Sequence, residues 1–164
     1  MSDSISFPET DKTIVRQTQL ILKSFRDKLG YPLLEIEGSP DAIARSLFDA
    51  PFVVVSHGTE TDPIFNYGNR QGLQLWEFSW DEFTRMPSRQ CVEPSGLDER
   101  SQLLSQANQC GYITNYRGVR ISRTGKRFII SDVILWNLHD ETDRYCGQAA
   151  TFPHWTFIDE NCNE

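Results

Sequence analysis

The chain has 164 residues, 38% of them hydrophobic and 12% aromatic, which suffices for one domain with a terminal extension. Its longest apolar runs are far shorter than the roughly 20 residues that cross a bilayer, and its start lacks a signal-peptide pattern, so we expect a cytoplasmic protein without a membrane span. The formal net charge of −7 disfavours nucleic acid as a partner, because nucleic-acid-binding domains normally carry a basic surface.

The first predicted element is a long amphipathic helix. Residues 1–9 are polar and lack periodicity, which is typical of a disordered arm. From residue 10 onward, apolar side chains recur at steps of three and four from Ile14 to Leu29, which predicts a helix with one apolar stripe. Gly30 is a favourable residue for ending that helix.

A second helix is predicted at residues 40–49. Ser39 is a favourable N-cap and Pro40 is favoured in a first helical turn. The two helices make residues 10–50 a predicted N-terminal helical extension of the main domain.

The main domain is predicted to begin with a hairpin. Residues 52–56 are β-branched and short, as in a buried strand, and residues 63–69 alternate as in a second strand. Three helices are then predicted at Arg70–Trp76, residues 80–85 and residues 97–109, each with a cap or an apolar stripe.

Three more strands are predicted at residues 112–122, residues 127–138 and Tyr145–Phe152, joined by polar turns. The domain therefore spans residues 51–152, and residues 153–164 form a tail that is expected to cover an edge of the sheet. Strict alternation predicts that five residues of the longest strand share one face: Phe128, Ile130, Asp132, Ile134 and Trp136.

This order of elements predicts an α+β fold. Two groups of antiparallel strands flank a helical connector, so the natural packing is a five-stranded antiparallel sheet with the connector on one face and the N-terminal amphipathic helices added. The order resembles the PAS fold. Residues 64–70 resemble its second strand running into an Asn-capped helix, and residues 120–128 resemble the hairpin between its third and fourth strands.

A closer resemblance is to the MEKHLA domain, a PAS-related family that occurs alone and at the C-terminus of plant homeodomain–leucine-zipper proteins. The resemblance covers residues 12–155, and this chain is identified as a stand-alone member without homeodomain or zipper heptads. The runs that carry the resemblance are APFVVVSHG at 50–58, NYGN at 66–69, LWE at 75–77, PSR at 87–89 and GQAA at 147–150.

The resemblance implies a sensor-type domain whose sheet and helices enclose a cavity for a flavin, a haem, a small metabolite or nothing. Cys91 lacks the Asn-Cys-Arg-Phe context of light-sensing flavin domains, and residues 97–109 contain no His for a haem. Flavin and haem are therefore disfavoured, and the ligand stays unknown. No metal site is expected, because His and Cys lack the short spacing that metals require.

A ligand pocket is one hypothesis for the residues around the hairpin. The alternative is that Asn69 only caps a helix, that Asn66 only satisfies loop backbone and that Asp132 pairs with an Arg. The hypothetical pocket residues are His57, Phe65, Asn66, Tyr67, Asn69, Leu73, Trp76, Phe83, Ile130, Asp132 and Trp136.

The turn between the third and fourth strands is strongly basic. Arg120, Arg123, Lys126 and Arg127 could form a surface for an acidic partner. The alternative is a solvated edge that discourages sheet-to-sheet pairing.

The favoured function is a sensory or regulatory module that binds a small ligand in its cavity and signals through a regulatory protein partner or a homodimer. The alternative is a non-enzymatic interaction or dimerisation domain with a filled core, pairing through the apolar stripe of the first helix. Catalysis is not expected, because no motif joins a nucleophile to a base.

Overall fold

The fold is given by a computed structural model, which describes residues 7–8, 12–93 and 96–158. The predicted arm at residues 1–9, apart from Phe7 and Pro8, and the tail after Ile158 lie outside the described residues. No helix in the described ranges is long and apolar enough to cross a membrane.

The predicted helices and strands are present, with ends that differ from the predictions by a residue or two. A short 3-10 helix at Ser88–Cys91 lies in a stretch that was expected to be loop, and β6 lies in the predicted tail. The elements are α1 (Lys12–Leu29), α2 (Pro40–Phe48), β1 (Val53–His57), β2 (Phe65–Gly68), α3 (Arg70–Trp76), α4 (Trp80–Phe83), α5 (Leu97–Cys110), β3 (Tyr112–Ile121), β4 (Arg127–His139), β5 (Tyr145–Phe152) and β6 (His154–Phe157).

The five predicted strands form one antiparallel sheet in the order β2-β1-β5-β4-β3. The strand β6 adds a sixth member by pairing with residues 128–131 of β4, whereas β5 pairs with residues 134–139 of the same strand. Pro153 lies between β5 and β6 and has no amide hydrogen to donate, so the chain leaves one stretch of β4 and joins the next there. The predicted α+β fold class is confirmed.

Asn69 ties three elements together at one end of the sheet. Its side-chain oxygen accepts hydrogen bonds from the amides of Gly72 (3.2 Å) and Val54 (3.0 Å). Its amide nitrogen donates to the carbonyls of Phe52 (2.8 Å) and Leu47 (3.3 Å). The predicted capping of α3 is confirmed, and the same side chain also fixes β1 and the end of α2.

One face of the sheet is covered by α1. Ile21 and Phe25 from the predicted apolar stripe are buried there with Trp136 and Leu138 of β4. The Phe25 and Trp136 rings meet edge to face, with their centroids 4.9 Å apart. The helix is thus an integral part of the core, and the predicted domain boundary near residue 50 stays a proposal.

The other face of the sheet is covered by the connector helices, and a bulge in β4 decides which residues reach it. Asp132 has a positive φ of 55°, and the pairing with β3 shifts between Ile130 and Val133. A residue in this conformation adds a step to the strand and reverses the alternation. Phe128, Ile130 and Val133 therefore pack under the connector, while Trp136 packs under α1. The predicted single face was wrong for this reason.

Candidate functional site

A cavity of about 70 Å³ lies between the sheet and its connector. A space of roughly 10–15 Å³ holds one water, so this cavity has room for roughly five water-sized groups. Its walls come from all five strands β1 to β5 on the sheet side and from α3, the 3-10 helix and α5 on the connector side.

Most of the wall is apolar. Phe65, Trp76 and Ile130, three of the hypothetical pocket residues, line the cavity together with Val55 and Phe152. All five side chains belong to the same buried cluster. A ligand that fits this wall needs an apolar body.

Arg100 brings a positive charge to the wall from α5. It shares the inward stripe of that helix with Leu103 and Ala107 at steps of three and four, and only 9% of it is exposed. Its guanidinium donates a hydrogen bond to the hydroxyl of Ser88, but no described carboxylate forms an ion pair with it. Burial lowers the pKa of Arg100.

Arg120 brings a second positive charge from β3, and it too is only 9% exposed. Its Nη1 donates to the Val119 carbonyl (2.9 Å), and its guanidinium carbon lies 5.6 Å from the centre of the Tyr116 ring. Gly118 makes this arrangement possible, because a side-chain carbon there would collide with the Tyr116 hydroxyl and crowd Arg120. Among the described residues Arg120 has no ion-pair partner.

The other cations of the basic turn differ from Arg120. Each is exposed and has an acidic partner in the connector: Arg123 with Glu82 (2.8 Å), Lys126 with Glu77 (3.4 Å) and Arg127 with Glu93 (2.9 Å). Arg120 itself is nearly buried beside Tyr116, although it also lines a second pocket together with Arg117 and Arg127. A partner site on the basic turn stays a prediction.

His57 stands at the end of β1 and lines the same cavity. Its Nδ1 lies 3.0 Å from the Gly58 carbonyl, which can only accept, so the neutral ring carries its proton on Nδ1. Burial lowers the pKa of His57, and the charge of Arg100 acts in the same direction. Its Nε2 is therefore a buried acceptor, and it has no hydrogen-bond partner in the described part of the chain, although the side chain of Gln148 acts to raise the pKa of the ring.

Trp76 adds a second unpartnered atom on this wall. Its indole Nε1 is buried and finds no hydrogen-bond partner among the residues that the structure describes, although an indole N–H can only donate and usually finds an acceptor when it is buried. The cavity wall thus presents two guanidinium groups and an indole N–H as donors, and the imidazole Nε2 of His57 is the buried acceptor that is left without a partner among the described residues.

Gln148 of β5 joins the cavity wall to α5. Its Nε2 donates to the Leu104 carbonyl (3.0 Å) and to the side-chain oxygen of Asn137 (3.1 Å). Asn137 in turn donates to the Asn108 carbonyl (3.2 Å). These bonds hold α5 against the sheet beside the cavity.

Several hypothetical pocket residues lie away from the cavity. Tyr67 and Trp136 face α1 on the opposite side of the sheet. Asp132 is exposed at the bulge, 3.7 Å from His154, because the positive φ turns it out of the apolar face. Asn66 is exposed and accepts hydrogen bonds from Ser56 (2.5 Å) and Gln17 (3.3 Å).

Leu73, Phe83 and Asn69 also lie outside the cavity wall. Leu73 and Phe83 are fully buried in the core under the connector, so they support the wall from behind. The hydrogen bonds of Asn69 are all used in capping and bridging. A role for any of these residues in ligand binding stays untested.

The sequence-based prediction missed the residues that give the cavity its charge. A charged residue in a helix or at a strand end is normally interpreted as solvent-exposed. The inward spacing of Arg100 with Leu103 and Ala107 was a usable signal, as was the alternation of Arg120 with Gly118 and Tyr116. The missed wall residues with polar groups are Ser56, Ser88, Cys91, Arg100, Tyr116, Arg120 and Gln148.

The sequence profile of the MEKHLA domain matches residues 15–157. The chain belongs to the MEKHLA domain family. Homeobox-leucine zipper protein HOX9 of Oryza sativa, from both the indica and the japonica subspecies, is 22% identical to it over 153 residues. This match covers 93% of the MEKHLA chain and 18% of the rice proteins.

Solved structures show that the MEKHLA domain has a PAS-like fold. The PAS domain of a Colwellia psychrerythraea protein superposes with a TM-score of 0.58 at 15% identity, covering 70% of this chain and 92% of that one. The light-state dimer of the fungal photoreceptor Vivid superposes with a TM-score of 0.56 at 14% identity, covering 90% of this chain and 97% of that one. A light-oxygen-voltage domain studied with a flavin analogue superposes with a TM-score of 0.56 at 14% identity, covering 73% of this chain and 87% of that one.

The cavity does not fit a flavin or a haem. Cofactor sites usually measure about 300–1,000 Å³, and this cavity measures about 70 Å³. Cys91 does line it, but burial raises the pKa of that thiol, which keeps it protonated and unreactive. No group of three His, Cys, Asp or Glu residues in the described ranges could hold a metal ion.

Proposed function

We propose that this MEKHLA domain is a sensory module that binds a small ligand in the cavity and signals through protein contacts. The observation that carries the proposal is the set of buried polar groups without partners on the cavity wall. Buried donors and charges normally have partners. Among the described residues, His57 Nε2 and Trp76 Nε1 have no hydrogen-bond partner, and Arg120 has hydrogen bonds but no ion-pair partner. A ligand would supply those partners.

The proposal describes a binding protein and not an enzyme. Ser88, the hydroxyl on the wall, accepts a hydrogen bond from Arg100 and has no described base beside it. The thiol of Cys91 has a raised pKa, so it is a poor nucleophile. Catalysis of group transfer needs an activated nucleophile, and this wall offers none among its described residues. Location in the cytoplasm stays a prediction.

We infer that occupancy is passed on through α5. Arg100 and Leu104 of this helix line the cavity, so a ligand would touch α5 directly. The helix buries only Arg100, Leu103 and Ala107, and elements with few buried apolar contacts move at low cost. A partner protein that reads the position of α5 would then sense the ligand.

The alternative, a dimerisation domain with a filled core, has less support. Its pairing surface was expected on the apolar stripe of α1, and Ile21 and Phe25 of that stripe are buried on the domain's own sheet. Deleting residues 1–30 should therefore expose the sheet and destabilise the monomer. Loss of a dimer without loss of monomer stability would favour the alternative.

The direct test is a comparison of native and denatured mass spectra of the purified protein, together with its absorption spectrum. We expect a native mass that exceeds the chain mass by one small molecule, with no visible absorption band. A native mass equal to the chain mass, combined with no thermal stabilisation by a broad metabolite library, would contradict the proposal.

A further inference from the structure

The charge of the cavity wall defines its ligand more narrowly, and this step rests on the proposed function. We infer that the cavity binds a small carboxylate, held by Arg100 and Arg120 and covered by the apolar wall. Three features support the inference: two buried arginines without ion pairs, two unpartnered ring nitrogens and the small size of the cavity.

The first observation is that two buried cations share one cavity without an acid. Arginine side chains are almost never fully buried unless they are paired. Two exposed arginines near the cavity have carboxylate partners: Arg89 pairs with Asp62 (3.0 Å) and Arg127 with Glu93 (2.9 Å). Arg100 and Arg120 are the buried arginines of the described residues, and neither has an ion-pair partner there.

The carboxylates beside the two arginines are already engaged. Asp62, whose charge acts to raise the pKa of Arg100, pairs with Arg89 at 3.0 Å. Glu99 accepts a hydrogen bond from the Tyr116 hydroxyl at 2.8 Å and forms no ion pair with either arginine. The two guanidinium groups also repel each other across the cavity, since like charges in a low-dielectric site interact strongly. An anion bound between the two arginines would give each buried charge a partner and would also offset their mutual repulsion.

The second observation concerns the remaining polar atoms. Within residues 7–8, 12–93 and 96–158, the Nε2 atom of His57 and the Nε1 atom of Trp76 have no hydrogen-bond partners, and both side chains, with 8% and 2% exposure, line the cavity. The unpartnered indole N–H of Trp76 can donate a hydrogen bond to an anion. The imidazole nitrogen accepts, so it suits a hydroxyl beside the carboxylate.

The shape of the site favours a carboxylate over a phosphate. A guanidinium fork matches the two oxygens of a carboxylate in one plane, and a monoanion leaves room for an apolar body against Phe65, Ile130 and Phe152. A phosphate at neutral pH carries close to two charges and no apolar part. A cavity for roughly five water-sized groups suits acids of the size of acetate, propionate or lactate.

The test is calorimetric titration of the whole protein with acetate, propionate and lactate, each compared with its neutral amide. The amides match the acids in shape and lack the charge. We expect one or more of the acids to bind at least about tenfold more tightly than its amide, because a buried charge pair is then completed.

Three variants assign the effect to the two arginines. Arg100→Gln and Arg120→Gln should each weaken binding of the preferred acid by at least about tenfold. Arg89→Gln is the matched control, since Arg89 is exposed and paired with Asp62, and its affinity should stay within about twofold of the unmodified protein. Without ligand, neither cavity variant should melt below the control, because each removes an unpaired buried charge.

Two results would overturn the inference: acids that bind no more tightly than their amides, or cavity variants that retain full affinity. Tighter binding of inorganic phosphate than of every acid would also overturn it. A neutral molecule found in the native mass spectrum, with no preference for acids, would leave the proposed function standing and end this inference alone. Absence of any bound or stabilising molecule would end both.

Discussion

The two faces of the sheet differ in how they use buried polar groups. On the α1 face, Tyr67 and Trp136 each leave one polar atom without a hydrogen-bond partner in the described part of the chain, but the face is packed with rings, and neither buried arginine of the described residues belongs to it. The connector face has similar unpartnered atoms on His57 and Trp76, and it also has two buried arginines and a cavity. Unpartnered polar atoms on aromatic side chains alone therefore do not mark a binding site in this fold. A cavity that also contains buried charges does.

This comparison predicts that the α1 face contributes stability and the connector face contributes specificity. Phe25→Ala should lower the free energy of unfolding by about 3–5 kcal/mol, because it leaves a cavity in a fully buried cluster. Urea denaturation measures this loss. Ligand affinity of the fraction that stays folded should be unchanged, and a large loss of affinity would show that the two faces are not independent.

Asn69 connects the two faces, so its removal should cost the next largest amount. Asn69→Ala leaves the amides of Val54 and Gly72 and two carbonyls without partners, which should lower the free energy of unfolding by about 2–4 kcal/mol. Asn69→Asp keeps the accepting oxygen and should retain part of the stability. Equal losses for the two variants would show that the bridge to Leu47 and Phe52, and not the cap, carries the effect.

Glu77 gives a pH-dependent test at the edge of the connector face. Burial acts to raise the pKa of Glu77. This effect is outweighed by hydrogen bonds from Thr124 and Ser122 and by the charge of Lys126, which together lower the pKa from 4.5 to about 2. Because the pKa of Glu77 is lower in the folded state, its ionised carboxylate stabilises the protein at every pH above the ordinary pKa of 4.5. This stabilisation is lost as the pH falls from about 4.5 toward 2.

Glu77→Gln should therefore lower the free energy of unfolding by about 1 kcal/mol at pH 7, and the difference from the unmodified protein should shrink through that acidic window. Denaturation curves at a series of pH values measure it. The control is Asp27→Asn, which removes an exposed ion pair with Lys23 and should change neither the stability nor its pH dependence. A gap between Glu77→Gln and the unmodified protein that persists at pH 2 would contradict this account.

Gly118→Ala should have the smallest effect on stability and a visible effect on the site. The added carbon displaces the ends of Tyr116 and Arg120, which are flexible side chains, so the free energy of unfolding should change by less than about 1 kcal/mol. Binding of the preferred acid should weaken because Arg120 moves. Gly125→Ala is a stability control, since Gly125 has open space around it but a positive φ of 88°; it should lose stability without loss of affinity.

Local signals in the sequence were enough for the order of elements. β-branched residues predicted β1, and Asn69 predicted the start of α3, because a strand core and a helix cap depend on neighbouring residues. The bulge at Asp132 was not predictable in this way. A positive φ at a residue other than glycine is set by the surrounding sheet, and this one residue moved Trp136 to the opposite face.

The candidate site was less predictable than the fold for a related reason. His57, Phe65, Trp76 and Ile130 were expected near a pocket, whereas Arg100 and Arg120 were not. The periodic pattern of α5 and β3 places both arginines inward, but a general rule about charged residues outweighed that pattern. An arginine at an apolar position of an otherwise regular stripe, such as Arg100 beside Leu103 and Ala107, is better predicted as buried.

The most direct test of the account follows the two buried indole groups by ¹⁵N NMR during titration with lactate or propionate. Trp76 and Trp136 both have an unpartnered Nε1, but only Trp76 lines the cavity. The account predicts a large, saturable shift of the Trp76 indole signal and of the Arg100 and Arg120 side-chain signals, with the Trp136 signal unmoved. Equal shifts of both indoles, or no shift of Trp76 at saturating acid, would contradict it.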